Sequence, residues 1–178
     1  MHYTLCDLFA DLTQNSVEAQ AKKISVEVTE TEADITVYIK DDGKGMSKET
    51  LQKAIDPFYT DGVKHPKRKI GLGLPFLVQT ANDTGGEWKI DSVEGKGTTV
   101  YCRFDTTNID TPPVGDVPLF FRQILTFTGS YEMEIIRNKP GCSYTIVRSE
   151  LIDALGNLEN AGSLSLLGDF LESQESTE

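Results

Sequence analysis

Apolar positions change their spacing several times along the chain, and each change marks an element. Over residues 3–21, Leu5, Leu8, Phe9, Leu12 and Val17 recur at roughly helical spacing, which predicts a helix with one buried face. Asp7, Asp11, Asn15 and Glu18 share a different stripe of that helix. The period then drops to two. Ile24, Val26 and Val28, and after the polar turn 30–33 Ile35, Val37 and Ile39, alternate with polar residues and predict a hairpin with one buried face. The second strand runs into Asp41-Asp42-Gly43-Lys44-Gly45-Met46, and Ser47 is placed to cap a short helix. Residues 56–70 have no period and read as a mobile loop. Gly71-Leu72-Gly73-Leu74 opens a helix that Gly85-Gly86 stops. Trp88 and Ile90 mark one strand and Val100, Cys102 and Phe104 the next, with Gly95-Lys96-Gly97 as the turn between them.

The second part of the chain is separated by residues 106–116, a polar stretch with two adjacent prolines and a glycine that reads as a linker. Beyond it the pattern predicts a short helix over 117–127 and a hairpin of 131–136 with 143–148. Helices follow over 151–158 and 164–171, and then a disordered acidic tail over 173–178. The resulting organisation is a domain over 1–105, a linker over 106–116, an appendage of helix, hairpin and helices over 117–172, and the tail.

Composition narrows the function classes. The chain has 178 residues, 17 Lys and Arg, 28 Asp and Glu, and a net charge of −11. From Ser149 onward there are seven acids and no Lys or Arg. The other 148 residues, with 17 basic and 21 acidic side chains, therefore carry only −4. This balance argues against a nucleic-acid partner, and the acidic end segment suits solubility or a basic partner surface. No apolar run approaches the ~20 residues that cross a bilayer, and no signal peptide is visible, so a cytoplasmic protein without a membrane anchor is expected. Cys6, Cys102 and Cys142 lie far apart without a CxxC, which fits a reducing compartment and no cysteine-based zinc site.

The chemistry is carried by glycines. There is no GxxxxGK[ST], and Gly71-Leu72-Gly73 does not continue into GxGxxG. Three glycine clusters remain, each at the edge of a regular element, where the backbone can approach a ligand closely. Gly71–Leu74 also opens a helix, whose free N–H groups and positive dipole end favour phosphate, beside Lys64, Lys67, Arg68 and Lys69. Taken singly, each cluster reads equally as an ordinary turn.

Taken in order, the acidic helix with Asn15, DxGxG after a strand, Pro57-Phe58 at the start of a loop, GLGL at a helix start and GxGT before a strand form a set. This set resembles the nucleotide-binding domain shared by DNA gyrase, the ninety-kilodalton heat-shock chaperones, sensor histidine kinases and mismatch-repair ATPases. The resemblance covers roughly residues 5–105. It implies an α+β fold, a two-layer α/β sandwich of the Bergerat type, with a mixed sheet and helices on one face. It also implies ATP and Mg²⁺ as cofactors. By the same resemblance Asn15 would coordinate Mg²⁺, Asp41 would accept a hydrogen bond from the adenine amino group, and Gly43 and Gly45 would let the chain pass the purine. Thr98 would help hold the adenine, Gly71, Leu72, Gly73 and Leu74 would contact the phosphates, and Phe58 would hinge a lid.

Several branches of that family place a glutamate four residues before the motif asparagine as a base. Here the position is Asp11, of the same charge and one methylene shorter. No helical hairpin with a phospho-accepting histidine precedes residue 3, and the residues after 105 are too few for a gyrase-type transducer. The expectation is a stand-alone ATPase or serine/threonine protein kinase similar to anti-sigma-factor kinases, engaged in signalling. The alternatives are an ATP-sensing module or a subunit that works with a histidine-containing partner. A protein partner is expected; its identity and the oligomeric state are left open.

Overall fold

The computed structural model describes residues 3–58 and 72–176, in which six strands form one sheet and six helices accompany it. In chain order these are α1 (Leu5–Glu18), β1 (Lys23–Glu30), β2 (Asp34–Asp41), α2 (Lys48–Ile55), α3 (Gly73–Thr84), β3 (Glu87–Val93) and β4 (Gly97–Asp105). The second part adds α4 (Val117–Leu125), β5 (Glu132–Lys139), β6 (Cys142–Val147), α5 (Arg148–Leu155) and α6 (Ala161–Glu175). The strand order is β3-β4-β2-β1-β5-β6. All neighbours are antiparallel except β1 and β5, which run parallel, so the sheet is mixed.

Strand alternation sorts side chains onto two faces. Ile24, Val26, Val28, Ile35, Val37, Ile39, Val100, Cys102, Phe104, Met133 and Ile135 are buried on one face. Helices α3, α1, α4 and α6 lie side by side over it, each touching the next. Phe9 of α1 joins the layers, its ring 6.5 Å from Phe104 of β4 and 6.1 Å from Phe120 of α4. The opposite face is polar, with the rings of Tyr38 and Tyr101 tilted against each other at 4.9 Å and Arg103 paired with Asp34 at 2.6 Å. This is the two-layer α+β arrangement expected from the sequence.

Residues 117–176 are integrated into this body. β5 pairs with β1 from Lys23↔Glu132 to Thr29↔Asn138, and one apolar core runs through both parts of the chain. The 106–116 segment connects them and also serves the first helix. Thr4 and Asp7 form a capping box at the start of α1, and the carbonyls of Pro113 and Val114 accept the N–H groups of Leu5 and Cys6 at 2.9 Å.

The end of the chain corrects one expectation. Residues 173–175 do not begin a disordered tail; they finish α6, which Asn160 caps at its start and which runs through Glu175. The Glu175 carboxylate meets the buried Arg137 Nε at 2.7 Å and the Tyr144 hydroxyl at 2.5 Å, while the same guanidinium reaches Glu30 at 2.6 Å. A charge placed between two strands and a helix holds the last turn in place. Residues 1–2, 59–71 and 177–178 lie outside the described part.

Candidate functional site

The site is built where the end of α1, the end of β2 and the β3–β4 turn converge. Asp41 closes β2 and is buried. Ser16 of α1 donates to Asp41 Oδ2 at 2.6 Å, and the Gly43 backbone N–H donates to Oδ1 at 2.9 Å. Both carboxylate oxygens are thus held, each with acceptor capacity left over. Thr98, the second residue of β4, is the direct cross-strand partner of Asp41, so a hydroxyl lies next to the carboxylate on the helix-covered face. On the far side of Thr98, Ser92 of β3 is its partner in turn, with the two hydroxyl oxygens 2.8 Å apart.

The glycines around Asp41 have a packing reason. A Cβ on Gly43 would lie 2.8 Å from the Ala19 carbonyl oxygen, so this glycine lets segment 43–46 dock on the end of α1. Gly45 has φ +62° and its Cβ would lie 2.0 Å from the Val93 carbonyl oxygen. The Lys44 N–H donates to Ala19 O and the Gly95 N–H to Lys44 O, which completes the junction. The glycine pattern DxGxG therefore brings three chain segments together around the Asp41 carboxylate.

A second part of the site lies one turn back on α1. Asn15 and Asp11 are both half-buried and share a helix face. The Tyr3 hydroxyl donates to Asp11 Oδ2 at 3.1 Å, and the Tyr3 ring lies 5.7 Å from that of Phe76 in the first turn of α3. Burial raises the Asp11 carboxyl above the ordinary aspartate range; the Tyr3 hydrogen bond opposes this and the Asp7 charge adds to it. Helix α3 starts beside this carboxylate, since a Cβ on Gly73 would lie 3.4 Å from Asp11 Cβ. No side chain caps that start; Leu72 is exposed there, and Gly73 and Leu74 are buried. Gly71 and the basic group Lys64, Lys67, Arg68 and Lys69 lie outside the described residues. Phe58, just before them, is exposed and donates its backbone N–H to Asp56.

The structure thus joins Asp41, Thr98, Gly43 and Gly45 in one junction, and brings Asp11 against Gly73 where α1 meets α3, with Asn15 one turn further along α1 and Leu74 next to Gly73 in α3. Three residues went unnoticed in the sequence: Ser16, Ser92 and Tyr3. Ser16 and Ser92 do leave a signal. Each puts a hydroxyl where the helical or two-residue period calls for an apolar side chain, Ser16 four residues after Leu12 and Ser92 two after Ile90.

A buried carboxylate and a hydroxyl thus lie side by side on the mixed sheet, bordered by α1 and near a glycine-opened helix. The chain belongs to the histidine kinase-, DNA gyrase B-, and HSP90-like ATPase family, whose pattern it matches over residues 3–108. It is similar to sporulation kinase C of Bacillus subtilis, 32% identical over 95 residues, covering 52% of this chain and 21% of that protein. It is also similar to the sensor histidine kinase WalK of Bacillus subtilis, 33% identical over 99 residues, covering 54% of this chain and 16% of that one. The catalytic domain of histidine kinase ThkA aligns with 55% of this chain and 62% of its own at 21% identity and a TM-score of 0.41. The chain spans only about a fifth of the curated relatives' length or less. Among the described residues no helix is long and apolar enough to cross a membrane.

Proposed function

We propose that this chain binds ATP with Mg²⁺ and presents its terminal phosphoryl group for transfer. The observation that carries the reading is Asp41, buried, fixed at both oxygens, and set beside the Thr98 hydroxyl. A carboxylate acceptor next to a hydroxyl suits the amino group and ring nitrogen on the edge of a 6-aminopurine. The rest of the site is compatible. The Asn15 amide oxygen would join phosphate oxygens around Mg²⁺, a hard cation that takes oxygen ligands. Among the described residues no three His, Cys, Asp or Glu side chains form a metal site of their own, so the cation would enter with the phosphates. The free N–H groups at the start of α3 would meet the phosphates, with Gly71, Leu72, Gly73 and Leu74 forming that contact. ATP·Mg²⁺ supplies the phosphoryl group and the cation that screens its charge. Asp11 would accept a proton at a carboxylate oxygen from the attacking group.

The acceptor divides two readings. Similarity to proteins named as sensor histidine kinases favours a histidine on a separate protein. The desolvated Asp11 carboxyl favours a hydroxyl instead, as in a stand-alone serine/threonine kinase or weak ATPase. In both readings the domain works in cytoplasmic signalling with a protein partner. Calorimetry with ATP and Mg²⁺ tests the binding. At a hundredfold excess over Kd the fold should gain about 2.7 kcal/mol, and Asp41→Asn should abolish the gain without unfolding the chain. Absence of both heat and melting shift sinks the proposal. Radiolabelled ATP then separates the acceptors. Turnover lost in Asp11→Asn supports the hydroxyl route, and label appearing only on an added histidine-bearing kinase segment supports the other.

A further inference from the structure

Asp41, Thr98 and Ser92 form a row across β2, β4 and β3 on the helix-covered face. Ser92 has no part in the reading above, yet its hydroxyl is the most connected group of the row. Its Oγ accepts the Met46 backbone N–H at 2.8 Å, lies 2.8 Å from Thr98 Oγ1, and lies 3.3 Å from the Gly97 carbonyl oxygen.

A serine hydroxyl has one proton and two lone pairs. Met46 takes one lone pair, which leaves two arrangements. In one, Ser92 donates to Gly97 O and accepts from Thr98, and Thr98 then offers only lone pairs to its surroundings. In the other, Ser92 donates to Thr98 across the shorter distance, and the proton of Thr98 is free to point toward Asp41 and whatever lies beside it. A 6-aminopurine sets an amino donor next to the N1 acceptor. Both Asp41 oxygens already accept hydrogen bonds and keep lone pairs, so they suit the amino group. N1 then needs a donor, and only the second arrangement lets Thr98 supply it directly, without an intervening water.

We propose that Ser92 is a positioning residue for adenine: by donating to Thr98 it turns the Thr98 hydroxyl into a donor toward N1 of the base. The proposal rests on the ATP reading above. Ser92 also fixes Met46, and with it segment 43–46, so its loss has a structural side that the test must separate from the recognition side.

The separation comes from a nucleotide that lacks N1. Calorimetry compares ATP and 1-deaza-ATP, in which N1 is replaced by C–H, on the wild-type chain, Ser92→Ala, Ser92→Thr and Thr98→Val, each first checked by its ligand-free melting midpoint. Ser92→Ala leaves the Thr98 proton free to turn away from N1, so ATP should weaken about three- to tenfold, up to the worth of one neutral hydrogen bond, and 1-deaza-ATP should be unchanged. Ser92→Thr, which keeps the hydroxyl, should restore the preference for ATP. Thr98→Val should remove it, and adding Ser92→Ala should remove no more. Equal weakening of both nucleotides in Ser92→Ala would make Ser92 a support for Met46 alone and overturn the proposal, as would unchanged ATP affinity. A wild-type chain that binds neither nucleotide refutes the ATP reading and this proposal with it. A wild-type chain that binds both, with equal losses in the variants, refutes only the role of Ser92.

Discussion

Ser16→Ala is the most direct perturbation of the site, because one hydroxyl is removed and the backbone is unaffected. In the native chain Ser16 Oγ lies 2.6 Å from Asp41 Oδ2, in the short range of a hydrogen bond to a charged acceptor. Such a bond contributes about 1.5–3 kcal/mol, more than a neutral pair, because the partner left behind is a buried carboxylate. Gly43 still serves the other oxygen, so one side of Asp41 stays satisfied and the loss stays within that range. For a domain of this size, it corresponds to a fall in melting temperature of about 3–12 °C. Urea unfolding of Ser16→Ala, Asp41→Asn and the double variant measures the pair itself. The two changes should be non-additive, with a coupling of about 1 kcal/mol or more. If Ser16→Ala costs less than about 0.5 kcal/mol, the range of an ordinary surface change, and the two losses simply add, Asp41 is not held by Ser16.

Three further outcomes follow from the charges. Arg137→Leu should cost about 3 kcal/mol, the low end for breaking a buried pair, because Glu175 loses its main partner while Glu30 keeps some water; urea unfolding reads the loss, and a neutral result would deny the cluster any role in holding α6. Burial opposes ionisation of Glu175, but the hydrogen bonds from Arg137, Tyr144 and Lys139 outweigh it and hold its carboxyl below the ordinary glutamate value of 4.5. The stability this gives is complete above that value and is lost as pH falls through the lowered one, so amide exchange should show α6 loosening at acid pH before the central strands. For Asp11 the sign is reversed. Burial raises its carboxyl above 3.8, so the native state holds the proton more tightly than the unfolded chain and the charged form costs stability at neutral pH. Asp11→Asn should therefore melt higher than wild type at pH 7. The difference should close as pH falls through the raised value toward 3.8, and a variant that melts lower at pH 7 would contradict the desolvation of Asp11.

Much of the nucleotide domain was legible from residue order. Helix α1, the hairpin of β1 and β2, and strands β3 and β4 follow from apolar period, which local sequence carries directly. Asn15, Asp41 and Thr98 were singled out by the family resemblance that the ordered motifs carry. The hydroxyls of Ser16 and Ser92 were not, because a serine that interrupts an apolar period does not tell what its hydroxyl will meet. Their role exists only once α1, β2, β3 and β4 are packed against each other.

The second part of the chain divides differently. Its alternation of Met133 and Ile135 with Glu132 and Glu134 specified a strand with one buried face, and Pro140-Gly141 specified the turn. Period cannot say which strand it pairs with. The strand was read as ending at 136, but β5 continues to Lys139 and Arg137 takes the next buried position. Tertiary structure makes this possible, since Glu30 and Glu175 arrive from β1 and α6 to compensate the charge. Sequence alone therefore determined the elements and the order of the site motifs, which depend on neighbours along the chain. The parallel pairing of β5 with β1, the ordered last turn of α6 and the hydrogen bonds that aim Asp41 and Thr98 were decided by the tertiary structure. Apart from the local Gly43 bond to Asp41, each depends on partners between 6 and 109 residues away in sequence.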